Sequence, residues 1–349
     1  MTQSSPAAPL GSTPKSPRPR IALALQGGGA HGAFTWGVLD RLMETPSFDL
    51  VALSGASAGA INAAVLMSGI AAGGPQGGRD RLATLWQKVG RMGRYSPLRV
   101  SLMERFTSGW NSNWAGGHLV FDLLTRFFSP YQFNPFDLNP LRFLLNEVVD
   151  TAALHNDQSS SLFISTTDLH TGSAQIFTGT DITIDSLMAS ACIPFLHQAV
   201  QINGRYYWDG GYALNPPLLI LAESEMAEDI VLVQIHAGHD GDLPTDARGI
   251  HDRLNQIMLN APLAGELKAF DLYNRLRQAE GKKPIRLHRI AAENELRPFG
   301  SSSKLNAEPS FLSHLFTIGR TAATRWLETD ALNLGKKSTY TPSEIVPSP

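Results

Sequence analysis

Gly55-Ala56-Ser57-Ala58-Gly59 sets a serine at the centre of a G-x-S-x-G pentapeptide whose every other residue is Gly or Ala. That spacing marks a nucleophile elbow, a strand-to-helix turn so tight that only small neighbours fit and the hydroxyl stands out above the sheet. A serine hydroxyl attacks a carbonyl once a neighbouring group takes its proton, and the intermediate then needs donors for its oxyanion. Gly27-Gly28-Gly29-Ala30-His31-Gly32 offers such donors. The bare backbone of Gly27, Gly28 and Gly29 lets N–H groups converge on one point with no side chain in the way. Within that loop His31 is a candidate contact for an anionic substrate group, or an ordinary surface histidine. In Tyr206-Tyr207-Trp208-Asp209-Gly210-Gly211, Asp209 leaves a short strand and precedes two glycines. It reads either as a turn aspartate or as the missing proton acceptor.

Other chemistries find weaker support in these residues. The glycine loop also fits G-x-G-x-x-G, but a dinucleotide site needs an acid at the end of the second strand to hold a ribose. Asp49 stands at the start of that strand, and its end carries Ser54 and then the turn with Ser57 instead. A nucleotide-binding module therefore stays as the non-hydrolase alternative. The apolar run Ile230–Ile235 leads into His236, with His239 close behind, so a triad of Ser57, Asp209 and His236 in that chain order is a second hydrolase option. No histidine pair has the H-E-x-x-H spacing, so no metal site is read, and no cofactor is implied. The single cysteine, Cys192, allows neither an intramolecular disulfide nor a cysteine metal cage.

These residues need a particular frame. Ile21–Leu25 reads as a buried strand running into the glycine loop, and Phe34, Val38 and Leu42 form one stripe of the helix that follows, up to Pro46. Asp49–Ser54 is the second strand, feeding the serine turn and another helix. Val51–Ala72 carries no charged residue and is long enough to cross a bilayer, but its serines, glycines and asparagine suit a buried strand, turn and helix better. Gly73–Gly78 reads as a loop. Ser161–Asp168 and Ser173–Thr178 read as neighbouring strands, and Asn203-Gly204 as the hairpin turn before Asp209.

Composition agrees with a fold centred on a buried sheet. Apolar residues make up 43% of the 349 positions, enough to bury a core, while 17% charged residues and 31 glycines suit a buried parallel sheet with tight turns. With 29 basic against 31 acidic residues, nothing suggests a nucleic-acid partner. The expected plan is a disordered tail over 1–20 and a catalytic domain over 21–240. A helical extension over 241–337 packs on that domain, and a frayed tail runs over 338–349. Residues 98–149 are dense in aromatics, among them Phe106, Trp110, Phe136 and Phe143, broken by Gly and Pro. They read as a cap lining an acyl groove or touching lipid, or as an aromatic subcore. The first twenty residues lack the apolar stretch of a secretory signal, so a cytoplasmic location is expected, with peripheral contact at a membrane or lipid surface.

Taken in order, GGGAHG, GASAG and DGG resemble the patatin-like phospholipase family over roughly Arg20 to Pro217, and Ala189–Pro194 is similar to the family's segment before the aspartate hairpin. The resemblance implies an α/β three-layer sandwich with a mainly parallel central sheet flanked by helices. It implies a serine acyl hydrolase of the phospholipase A or lysophospholipase type, acting without a metal or cofactor. Residue by residue it implies Ser57 as nucleophile, Asp209 as base of a Ser-Asp dyad and Gly27, Gly28 and Gly29 as the oxyanion loop. Gly32, Gly55, Gly59, Gly210 and Gly211 are motif glycines. His31 stands where many members carry Arg or Lys. The same dyad would cleave a hydroxyalkanoate polyester or an acyl thioester, and these remain alternative substrates. An aspartate near pKa 4 is a weaker base than imidazole, so such an enzyme must lean on oxyanion stabilisation.

Overall fold

Alternation along the first strand divides the core in two. Ile21, Leu23 and Leu25 enter one apolar cluster and Ala22 and Ala24 the other, all fully buried. A strand buried on both faces belongs inside a parallel sheet covered by helices on each side. The structure is a computed structural model and describes residues 18–44, 46–93, 128–156, 160–236 and 243–341. Among them the strands are β1 (Arg20–Leu25), β2 (Asp49–Ala56), β3 (Ser161–Asp168), β4 (Ala174–Thr178), β5 (Val200–Ile202), β6 (Arg205–Asp209), β7 (Asp229–Val233) and β8 (Arg286–Ile290). They form one sheet in the order β5-β6-β3-β2-β1-β7-β8, with β4 also paired to β3. From β3 to β8 all pairings along that path are parallel, and β4, β5 and β6 are antiparallel additions at one side.

The main helices are α1 (Gly32–Glu44), α2 (Ala58–Gly93), α3 (Pro140–Val148), α4 (Ile184–Ser190), α5 (Leu219–Glu223), α6 (Ala247–Ala279) and α7 (Pro309–Glu328). Phe34, Val38 and Leu42 of α1 share a cluster with Leu82 of α2, Leu145 of α3, Leu187 of α4 and Phe311 of α7. On the opposite face Leu221 of α5 packs with Leu263, Leu267 and Phe270 of α6. Helices on both faces of a mostly parallel sheet give the three layers that the sequence leads one to expect. Helices α1 and α7 cross at two glycines: a Cβ on Gly37 would collide with the Phe316 carbonyl, and one on Gly319 with that of Phe34. That contact brings the C-terminal segment down onto the helix that follows the glycine loop.

Several boundaries differ from the sequence reading, each for a local reason. The loop expected at Gly73–Gly78 shrinks to a kink at Gly73 and Gly74, after which Pro75 opens a second arm of α2. Proline suits a first helical turn, and Gly69 lets the two arms touch at Gly77. Helix α2 is long and apolar enough to cross a membrane, but 67% of its apolar window is buried inside the protein. The C-terminal segment is not wholly helical, because it supplies the edge strand β8. Ser338–Tyr340 does not fray: Thr339 and Tyr340 donate their N–H groups to the Leu287 carbonyl, and the Arg289 guanidinium lies 4.7 Å over the Tyr340 ring. Likewise Pro19 and Arg20 of the expected N-terminal tail already join the sheet, since Asp49 donates to the Pro19 carbonyl. Much of the aromatic stretch, including Phe106 and Trp110, lies outside the described residues. Its described members Phe128, Tyr131, Phe133, Phe136 and Phe143 are exposed, so they form no subcore.

At the opposite end of the sheet from the glycine loop, Asp229 ties β7 to β8. Its carboxylate, 1% exposed, accepts from Arg286 at 2.8 and 2.9 Å, from His288 Nε2 at 3.0 Å and from the Gly335 N–H at 3.1 Å. Burial alone would push its pKa up, but the bonds from His288, Arg286 and Gly335 outweigh it and hold the group at about 2. The folded pKa lies below the unfolded one. The stabilisation is therefore present above pH about 4 and lost as pH falls towards about 2. Asp229→Asn leaves Arg286 without its buried counter-charge and is expected to cost about 3 kcal/mol in urea unfolding at neutral pH. The difference from the parent should narrow as the pH approaches 2.

Candidate active site

The register of β3 brings the serine and the aspartate together. One edge of β3 is taken by β4 along Phe163–Thr167, so β6, which pairs with Thr166–Asp168, must lie on the edge of β2. Strand β2 covers that edge up to Ala56 opposite Ser165, and β6 takes over one residue later with Asp209 opposite Thr166. The chain leaving β2 at Ser57 therefore meets the chain leaving β6 at Asp209. The Ser57 hydroxyl faces the Asp209 carboxylate closely enough to favour its ionised form. Both are buried, at 9% and 6% exposure.

Ser57 adopts φ 53°, a left-handed conformation rare for a residue with a side chain. The turn holds it there. The Ser57 N–H donates to Ser190 Oγ at 3.0 Å, Ser190 in turn donates to the Ser165 carbonyl at 2.7 Å, and the Ser57 carbonyl accepts from Ile61 in the first turn of α2. Glycine is required on each side: a Cβ on Gly55 would stand 2.6 Å from the Ala60 nitrogen, and one on Gly59 would strike the Leu25 carbonyl. Gly32 packs on Ala58 just as tightly. Asp209 is fixed by its own backbone, which donates to Cys192 and accepts from Thr167 Oγ1 at 2.8 Å, and by the Gly211 N–H on its carboxylate at 2.7 Å. The backbone of Gly210 lies directly on Ser165, where a Cβ would not fit.

Burial without a cation pushes the Asp209 pKa up to about 6, with the Ser57 hydroxyl and the Gly211 N–H offsetting part of that rise. The weak-base objection to an aspartate is thereby reduced, because the carboxylate titrates close to where an imidazole would.

The glycine loop divides its N–H groups. Gly27 donates to Asn215 Oδ1 at 2.6 Å, so the expected oxyanion role fails at Gly27: its donor is spent on tying the loop to the chain beyond Asp209. A Cβ there would also stand 2.8 Å from Ser57 Cβ. For Gly28 and Gly29, no acceptor takes the N–H among the described residues. Gln26, fully buried, supports the loop from below by accepting the N–H groups of Ile235 and His236 on its Oε1 at 2.8 and 2.9 Å.

The two histidines of the sequence reading go elsewhere. His31 is 3% exposed, bonded through Nε2 to Ser303 Oγ at 2.8 Å and set edge-on between Phe299 and Phe311. Burial, aided by the charge of Lys304, lowers its pKa to about 3. The expected substrate contact at His31 is thus corrected: the ring is neutral and turned into the fold. His236 packs beside Gly28 and is absent from the Asp209 carboxylate, whose partners are Ser57 and Gly211. Burial holds it well below the usual imidazole range. His239 lies outside the described residues. Sequence reasoning missed Gln26, Ser190, Asn215 and Lys304, and only Ser190 carried a signal, through its place in Ala189–Pro194. No cluster of three or more metal-ligating side chains occurs among the described residues.

No curated protein matches the chain. Among solved structures, VipD from Legionella pneumophila is 15% identical over 86% of this chain and 67% of its own, with a TM-score of 0.36. The type III effector protein ExoU is 16% identical over 87% of this chain and 54% of its own, with a TM-score of 0.28. The chain therefore spans about two thirds of the first and about half of the second. A profile described as Patatin-like phospholipase matches residues 23–222, more than half of the chain, and includes both Ser57 and Asp209. The chain belongs to the patatin-like phospholipase family, a family of lipid acyl hydrolases.

Proposed function

We propose that the chain hydrolyses acyl esters of phospholipids or lysophospholipids through a Ser57–Asp209 dyad. The register that brings these two side chains face to face at a strained elbow carries this reading. Asp209 takes the hydroxyl proton as Ser57 Oγ attacks the carbonyl carbon, and the carbonyl electrons move onto oxygen. In this reading the N–H groups of Gly28 and Gly29, which no acceptor takes among the described residues, are the donors to this oxyanion. Collapse of the intermediate expels the alcohol, which takes the proton back from Asp209. Water then attacks the acyl-serine with Asp209 again as base, releasing the fatty acid and restoring Ser57.

The exposed aromatics support a lipid surface as the place of action. Tyr131, Phe136 and Phe143 are 55%, 83% and 76% exposed. Hydrogen bonds from Ala199 to Tyr131 and from Gln198 to the Asn134 carbonyl fix this rim to the segment just before β5. Cys192, seven residues earlier than Ala199, carries the carbonyl that holds the Asp209 N–H. The rim is thus anchored near the dyad, where an apolar surface would bring lipid to it.

Three outcomes test the reading. Ser57→Ala and Asp209→Asn should each abolish labelling by a fluorophosphonate and lower ester kcat by about a thousandfold or more, with circular dichroism retained. His236→Gln should keep the labelling, whereas a triad would lose it. In the parent enzyme kcat/KM should rise with pH through about 6, as the Asp209 carboxylate ionises, and then level off. A flat profile from pH 5 to 8 would count against Asp209 as the base. The same raised pKa means that ionised Asp209 weakens the fold above pH about 6 and has no such effect once protonated below about 4. Asp209→Asn should therefore raise thermal stability at pH 8, by about 2 kcal/mol, and the gain should fade as the pH is lowered to 4.

A further inference from the structure

The short turn Ser301–Leu305 sits directly on the glycine loop. A Cβ on Gly29 would stand 2.5 Å from the Lys304 carbonyl and 3.5 Å from Lys304 Cβ, and Ser303 is the partner of His31. Lys304 is half-buried, and among the described residues no hydrogen bond or ion pair takes its ammonium. Asp252 on α6 reaches it only through space, since the Asp252 carboxylate accepts the Ser301 N–H. The lysine charge is close enough to disfavour protonation of both His31 and His236. Burial in turn brings Lys304 down to about 8.

One more unfilled group lies at the same corner. His236 is 8% exposed, and its Nε2 is buried without a hydrogen-bond partner among the described residues. Its ring lies 3.3 Å from where a Cβ on Gly28 would stand. Gly28 packs on the His236 ring and Gly29 on the Lys304 backbone, so the glycine loop joins the two. A partly buried ammonium that no carboxylate bonds directly is favoured when an anion arrives to pair with it. Neither neighbouring imidazole is charged, so Lys304 is the cation that an arriving anion would meet.

We propose that this corner is an anion subsite beside the Ser57–Asp209 pair, in which Lys304 takes the phosphate of a phospholipid headgroup. The proposal rests on the acyl-hydrolase reading for the placement of the ester, which would lie over Ser57 while the phosphate sits against the turn Ser301–Leu305. A lysine is a common phosphate partner, and a charge-assisted bond in a partly dry site is stronger than one in water. His236 Nε2 is left to bond a headgroup hydroxyl.

Binding, not turnover, is the test. In the Ser57→Ala protein, where the lipid survives, titration calorimetry compares a short-chain monoacylglycerol 3-phosphate with the matching monoacylglycerol. The phosphorylated lipid should bind about tenfold tighter. Lys304→Gln should remove most of that preference, and Lys304→Arg should preserve it, which separates loss of charge from damage to the turn. Inorganic phosphate, titrated alone, should bind more weakly than the phosphorylated lipid. A preference absent from the starting protein, or surviving in Lys304→Gln, overturns the subsite. Inorganic phosphate binding as tightly as the lipid would make the corner a site for free phosphate and overturn the headgroup assignment. Failure of the hydrolase reading would show separately, as fluorophosphonate labelling that persists in Ser57→Ala.

Discussion

The site depends on one edge of one strand. Strand β3 offers the same edge first to β2 and then to β6, and the hand-over falls between Ser165 and Thr166. Because β2 is parallel to β3 and β6 antiparallel, the two chains run head-on towards each other along that edge. One turns away into α2 at Ser57 and the other into a short helical turn at Asp209. A shift of two residues in either register would move the carboxylate by roughly 7 Å, beyond hydrogen-bond reach of the hydroxyl. The serine's unusual backbone, the Ser190 bridge and the tight fit of Gly210 on Ser165 all serve to keep this meeting point fixed.

Two aspartates of nearly equal burial show what the surroundings then do. Asp229 gathers a guanidinium, an imidazole and a backbone N–H and is held at about 2, while Asp209 has one hydroxyl and one backbone N–H and rises to about 6. Neither value follows from burial alone. At the far end of the sheet the carboxylate acts as a clasp between β7 and β8, and ionisation strengthens the fold. At the elbow the carboxylate lacks a cation, and its readiness to accept a proton is obtained at the expense of stability. Functional sites commonly show this opposition between fit for chemistry and fit for folding.

Ser57 and Asp209 could be found in the sequence because their signals are local: small residues packed around a turn, and two glycines after a hairpin strand. The strand and helix order was readable for the same reason, from runs such as Ile21–Leu25 and the stripe Phe34, Val38, Leu42. Asn215, Gln26 and Lys304 were not, because what gives them roles is contact across the chain. Asn215 reaches back 188 positions to Gly27, and Ser303 reaches 272 positions to His31. His31 misled for a related reason. Its loop looks exposed in one dimension, but the crossing of α1 with α7 and the Ser301–Leu305 turn bury it. Strand β8 hid within the stretch 241–337 read as a helical extension, since its basic residues Arg286 and Arg289 find partners only once β7 and the C-terminal segment lie alongside.

The glycine loop shows how backbone donors in a row can have different tasks. Gly27 sits over Ser57 and gives its N–H to Asn215, whose own position is set by the chain leaving the aspartate. That bond ties the loop to the chain just beyond Asp209. Gly28 and Gly29 are then held from below by Gln26 and His236 and from the side by Lys304, with their N–H groups left over. Under the proposed reading such a loop would be aimed before substrate arrives, which is what electrostatic stabilisation of an oxyanion needs, because donors that must reorganise lose much of their advantage. The cost is that three distant segments must all be in place, so the donors of a loop near residue 27 are oriented by residues beyond 200 and beyond 300.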